Sequence, residues 1–140
     1  MLVGYSRGGA TVQNMAWMTW MAQPEVEIDL VVTIAPVEFA HPVFISHKQP
    51  NVKRHINLLS GQEWAAIPIG NPEKVYPPDI PLPEFRVPEA DIERVYKGTS
   101  HFSIIAREML IYTSLVPVKT KPITPNPVWT LIEAEAAALS

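Results

Sequence analysis

A serine with glycine two residues away on either side, Gly4-Tyr5-Ser6-Arg7-Gly8, stands near the start of the chain, and a further glycine, Gly9, follows it. The apolar run Met1-Leu2-Val3 precedes it, and a stretch of good helix formers comes after. Gly-x-Ser-x-Gly between a strand and a helix is the setting of a nucleophilic serine on a sharp turn. At such a turn the residues two before and two after the serine nearly touch, so Gly4 and Gly8 are expected to supply room that side chains would fill. The hydroxyl of Ser6 then projects at the start of a helix, where free N–H groups and the helix dipole favour a developing oxyanion. The backbone N–H of Arg7 is the expected oxyanion donor.

A serine nucleophile needs a base, and on a strand–turn–helix scaffold the partners follow in the order serine, acid, histidine. The chain has four histidines. His41 and His47 fall in a proline-punctuated loop and His55 opens a short apolar run. His101, in Gly98-Thr99-Ser100-His101-Phe102, directly follows the last expected strand, at the edge of a parallel sheet where sites of this kind collect. Order and placement select His101 as general base. None of the other histidines makes metal-ligand spacing with a carboxylate cluster, so no metal is expected.

The elements that must position these groups read as an alternating series. Residues 2–5 form a short apolar strand. Residues 10–22 read as a helix, stopped by Gln23-Pro24. The β-branched run 28–35 fits a strand buried on both faces, as in a parallel sheet. Residues 55–59 and 92–96 read as two further strands. Phe102, Ile105, Ala106, Met109 and Leu110 recur at helical spacing and predict a helix with one buried face, with Ser100 as its cap. Asn126-Pro127 looks like a cap and first residue of a terminal helix reaching about residue 139. Strand and helix in this order predict an α/β fold with a mostly parallel sheet flanked by helices. Seven prolines fall between Pro68 and Pro88, so residues 61–90 read as an excursion without regular structure, open to a role as a lid. Residues 117–140 read as a linker and the terminal helix. Met15, Trp17, Met18, Trp20 and Met21 are expected in the core, with an acyl-chain pocket as the functional alternative.

With 140 residues the chain is long enough for one domain and one modest core. Its formal net charge of −3 gives no footprint for nucleic acid. The absence of cysteine excludes thiolate nucleophiles and disulfides. Its apolar runs fall short of the roughly 18 residues of a membrane span.

The Ser6 elbow, the strand ending in Thr33-Ile34-Ala35-Pro36 and the Gly-Thr-Ser-His-Phe segment together resemble the α/β-hydrolase superfamily, in particular its lipase- and esterase-like serine hydrolases. The resemblance implies a parallel sheet, no cofactor, and cleavage of a small-molecule or lipid ester through an acyl-enzyme, with Ser6 as nucleophile and His101 as base. Most such hydrolases carry the acid after the penultimate strand, where this chain reads Ser60-Gly61-Gln62-Glu63. That position implies Glu63, with Glu38, Asp79 and Asp91 as lesser candidates. Several strands and a loop donating a second oxyanion N–H normally precede the elbow. The chain therefore reads as the C-terminal part, residues 1–140, of a single α/β-hydrolase domain whose N-terminal strands are missing. Its first strand would leave an open sheet edge through which two copies could pair. The alternative is a non-catalytic remnant or interaction module that keeps the hydrolase outline.

Overall fold

In a computed structural model, residues 1–38, 43–60, 64–65, 82–96, 99, 101, 103–106, 108–109 and 124–139 are described. The apolar start of the chain forms β1 (Leu2–Tyr5), and Ser6 turns it directly into α1 (Arg7–Ala22). Proline ends this helix: Gln23, ahead of Pro24, takes φ −145° and ψ 76°, leaving the helical region that a following proline disfavours. The β-branched run becomes β2 (Ile28–Ile34), and β3 (Val52–Ser60) and β6 (Ile92–Tyr96) complete a four-stranded sheet. All three pairings are parallel, in the order β1-β2-β3-β6. Two short antiparallel pairs lie outside this sheet: β4 (Trp64–Ala65) with β5 (Leu82–Pro83), and β7 (Glu108–Met109) with β8 (Thr124–Pro125). The chain is thus an α/β protein with a parallel sheet flanked, among the described residues, by two helices.

Each helix covers one face of that sheet, and the two-residue period of the strands decides which. Val31 packs with Val12 and Ala16 of α1. Its neighbours Leu30 and Val32 point the other way, together with Ile34, Ile56 and Leu58, into a core closed by Ile104 and by Val128 and Ile132 of α2 (Pro127–Ala137). Burial of each such aliphatic side chain stabilises the fold by about 1.5–3 kcal/mol. Asn126 caps α2, its Oδ1 accepting from the Val128 N–H at 3.0 Å, with Pro127 as the first helical residue. Arg54 of β3 grips Glu135 of α2 through two hydrogen bonds of 2.7 Å each.

The methionine stripe of α1 is not core. Met15, Met18 and Met21 are 47%, 56% and 60% exposed. The inward face of α1 is built instead from Gly9, Val12, Gln13 and Ala16, spaced at helical period. Small residues there bring the helix close to the sheet, and the methionines one step round the helix face outward.

The helix expected from Phe102 to Leu110 is also absent among the described residues. A single 3₁₀ turn, Ser103–Ile105, leads to β7. Side chains from the start of α2 take the carbonyls that a helix would have used. Asn126 Nδ2 donates to Ile104 O at 2.7 Å and to Ala106 O at 2.5 Å, and Trp129 Nε1 donates to Ile105 O at 2.9 Å. Of the residues whose spacing suggests a helix, Ile105 packs against the core from the turn, while the buried side chain there is Ile104, which is not in that pattern. Ser100, its expected cap, lies outside the described residues.

Residues 66–81 of the proline-rich stretch also lie outside them. Its end carries the short β5 and then, over residues 85–90, neither helix nor strand. After β5, Phe85 and Val87 are buried with Ala10 of α1 and Ile45.

Candidate active site

The elbow is a strained turn held from both sides. Ser6 has φ 56° and ψ −125°, a left-handed φ that residues other than glycine adopt at a cost of order 1–3 kcal/mol. Three backbone hydrogen bonds hold it there. The Ser6 N–H donates to Ile34 O at 2.9 Å, and Ser6 O accepts from Gly9 N–H at 2.9 Å and Val37 N–H at 3.1 Å. The serine is the N-cap residue of α1, yet its side chain makes no capping bond. The hydroxyl points to His101 instead.

Glycine is needed at two positions around this turn, one of which differs from the sequence expectation. A Cβ on Gly4 would sit 2.1 Å from Gly8 O, so the close approach of strand and helix is real. A Cβ on Gly8 would meet nothing within 4 Å. Gly8 contributes its backbone to the crowding, and its own missing side chain frees no needed space. The second requirement is Gly9, where a Cβ would lie 2.6 Å from Pro36 Cβ. Helix α1 enters against Pro36, two residues past the end of β2, and the fit leaves no room for a methyl group.

His101 is 2% exposed, and its Nε2 lies 2.9 Å from Ser6 Oγ. On the far side of the ring, Nδ1 lies 3.3 Å from Glu84 Oε2. With the Nδ1 proton facing the carboxylate, Nε2 is left to accept the Ser6 hydroxyl proton. The Glu84 side chain is 4% exposed, so its charge must be met by donors. Ser60, the last residue of β3, provides two: its N–H donates to Glu84 Oε1 at 2.7 Å and its hydroxyl to Oε2.

One short stretch after β2 sets both ends of this array. Ala35, itself at φ 45°, donates its N–H to Leu58 O at 2.6 Å. Pro36 O accepts from the Phe85 N–H at 2.8 Å, and Val37 forms an antiparallel bridge with Glu84. The same Val37 donates to Ser6 O, so nucleophile and carboxylate share a backbone anchor.

Arg7 is the first residue of α1, so its N–H has no acceptor within the helix and stands next to the serine. Glu63, the acid implied by the resemblance, and Asp79 lie outside the described residues, as does His41. Asp91 does not meet His101: its Oδ2 accepts from the His55 N–H and from Lys48 Nζ, both at 2.8 Å. His47 pairs with Glu89 at the surface, 2.5 Å apart. His55 is fully buried in β3, where Nε2 lies 3.0 Å from Thr33 Oγ1. Thr33 donates onward to Asn57 Oδ1 at 2.7 Å, and Asn57 Nδ2 donates to Glu93 Oε2 at 3.0 Å.

Comparison of this chain with family models, with curated proteins and with solved structures finds no match. What the site can do is therefore read from its own geometry. Carboxylate, imidazole and hydroxyl in hydrogen-bonded sequence beside a helix N-terminus form the constellation that generates a serine nucleophile.

Sequence reasoning missed Glu84 and Ser60. The trace they leave is faint: a single carboxylate at the end of a proline-rich run, just ahead of the apolar alternation Phe85, Val87. Among the described residues no group of three or more His, Asp or Glu is placed to hold a metal ion. No helix among them is long and apolar enough to cross a membrane.

Proposed function

We propose that this chain carries the active centre of an esterase- or lipase-like serine hydrolase that cleaves carboxylic esters through an acyl-enzyme. The observation that carries the reading is the array Glu84–His101–Ser6, with Ser6 Oγ 2.9 Å from the imidazole on a strained elbow. In the first half-reaction Ser6 Oγ attacks the acyl carbonyl carbon as its proton passes to His101 Nε2. The Arg7 N–H faces the oxyanion of the tetrahedral intermediate. Collapse breaks the ester bond, and the imidazolium returns the proton to the leaving alkoxide. A water molecule then gives its proton to His101 as it attacks the acyl-enzyme, which releases the acid and restores Ser6. Glu84 stabilises the imidazolium in both halves, and Ser60 keeps that carboxylate aimed through its N–H and hydroxyl.

Treatment with a fluorophosphonate probe tests this directly. Labelling confined to Ser6, lost in Ser6→Ala and strongly slowed in His101→Ala, is the expected result. Labelling that survives Ser6→Ala would remove the assignment.

A second reading, an interaction module or a homodimer through the sheet edge, draws on a different observation. Strand β1 is an edge of the sheet among the described residues, and Val3 on it is 40% exposed. A stable dimer with no turnover of short-chain aryl esters would favour it.

A further inference from the structure

Tyr5 is the last residue of β1, paired with Ile34 in the parallel ladder and packed against the main core. Its hydroxyl donates to the backbone carbonyl of His101 at 2.8 Å, across 96 positions of sequence. Its ring lies beside the imidazole of the same residue, with centroids 5.2 Å apart and planes tilted by 30°. His101 is therefore held twice by one side chain, once through its main chain and once along its ring. The residue that does so is the immediate neighbour of the serine that the imidazole must reach.

We propose that Tyr5 is a positioning residue for His101, setting the imidazole at hydrogen-bond distance from Ser6 by fixing both its carbonyl and its ring. The proposal rests on the serine-hydrolase reading above. The 2.9 Å separation of Ser6 Oγ and His101 Nε2 is then decided by two consecutive residues of one rigid strand end. Without them it would depend on the path of the chain through the intervening elements. Burial, and after it the charge of Glu84, push the Tyr5 hydroxyl up to about 12. The hydroxyl remains a donor across the whole pH range in which an imidazole can act as a base. The aromatic ring also lies within about 6 Å of the imidazole, close enough to favour the imidazolium formed when Ser6 gives up its proton.

Tyr5→Phe removes the hydroxyl and keeps the ring; Tyr5→Leu removes both. On the full chain, kcat and KM for a short-chain p-nitrophenyl ester would be measured across pH, with the fluorophosphonate labelling rate and the melting temperature beside them. Tyr5→Phe should lower kcat and the labelling rate together by about tenfold, with KM within about twofold, because displacing a reacting group slows chemistry more than binding. Tyr5→Leu should lose more and move the acid limb of kcat/KM to lower pH. A residue that served the fold alone would lower the melting temperature and leave the kcat of the folded protein and its pH profile in place.

Variants that melt like the parent with kcat and labelling within about twofold would overturn the proposal. If the parent itself is not labelled at Ser6, it is the hydrolase reading that fails. The imidazole resonance of His101, assigned by its absence in His101→Gln, then decides the position of Tyr5. It should shift in Tyr5→Phe and shift further in Tyr5→Leu, and an unchanged resonance in both overturns the contact.

Discussion

Glu84 reaches Nδ1 of His101 at 3.3 Å while both of its carboxylate oxygens accept from Ser60 at the end of β3. The carboxylate of the array thus comes from the far end of the proline-rich stretch, and the strand end holds it in place. Removing its charge should disable the proposed reaction without removing the binding surface. Glu84→Gln is expected to lower kcat by about 10⁴-fold with little change in KM, the size of loss seen when the histidine partner of a triad is neutralised. Glu63→Gln should keep activity close to that of the parent. Steady-state kinetics on both variants separates the two carboxylates.

The glycines of the elbow make an unequal set. Gly4→Ala and Gly9→Ala each drive a methyl group into the backbone of Gly8 or into Pro36, and both should lower the melting temperature and the yield of folded chain. Gly8→Ala enters open space in the first turn of α1, where alanine is the better helix former by up to about 1 kcal/mol. It should melt at or above the parent temperature. Thermal denaturation of the three variants is the check.

Asn126 joins the segment after His101 to α2 through three hydrogen bonds while 2% exposed. Asn126→Ala removes the cap and leaves the carbonyls of Ile104 and Ala106 without this donor, so a loss of about 1–3 kcal/mol is expected. Asn126→Asp keeps the capping oxygen but sets a buried charged acceptor against the Ile104 and Ala106 carbonyls, and should lose at least as much as alanine. Denaturant titration gives the order.

His55 supplies a pH dependence of folding. Burial is the main cause that lowers it from 6.5 to about 4, with Lys48 adding to the effect and Asp91, Glu93 and Glu89 opposing it. Between those values the unfolded chain binds a proton that the folded chain does not, so stability falls as the pH drops through that window. The contribution is complete above pH 6.5, and at about 1.4 kcal/mol per pH unit its loss amounts to roughly 3 kcal/mol by pH 4. His55→Gln should flatten this part of the stability profile, measured as the denaturation midpoint from pH 7 to pH 4. A slope equal to that of the parent would show that another group titrates there.

Much of the frame was legible in the residues themselves. The β-branched run of β2, the Gln23-Pro24 stop of α1 and the Asn126-Pro127 start of α2 are local signals, and the local backbone obeys them. The spacing around Ser6 is local as well, since a strand that turns at once into a helix must crowd Gly4 against its first turn.

What remained undecided depends on neighbours distant in sequence. Asn126 and Trp129 take the carbonyls of residues 104–106 from α2, so helical spacing there ends in a 3₁₀ turn. The small inner face of α1 turns Met15, Met18 and Met21 outward, although their composition suggests core. Carboxylates are alike in a sequence, and it is the bridge between Val37 and Glu84, together with Ser60 at the end of β3, that brings this one to the ring of His101. Local backbone preference fixes where a strand or helix can run, whereas the partner of a buried charge is settled by which chain segments pack together.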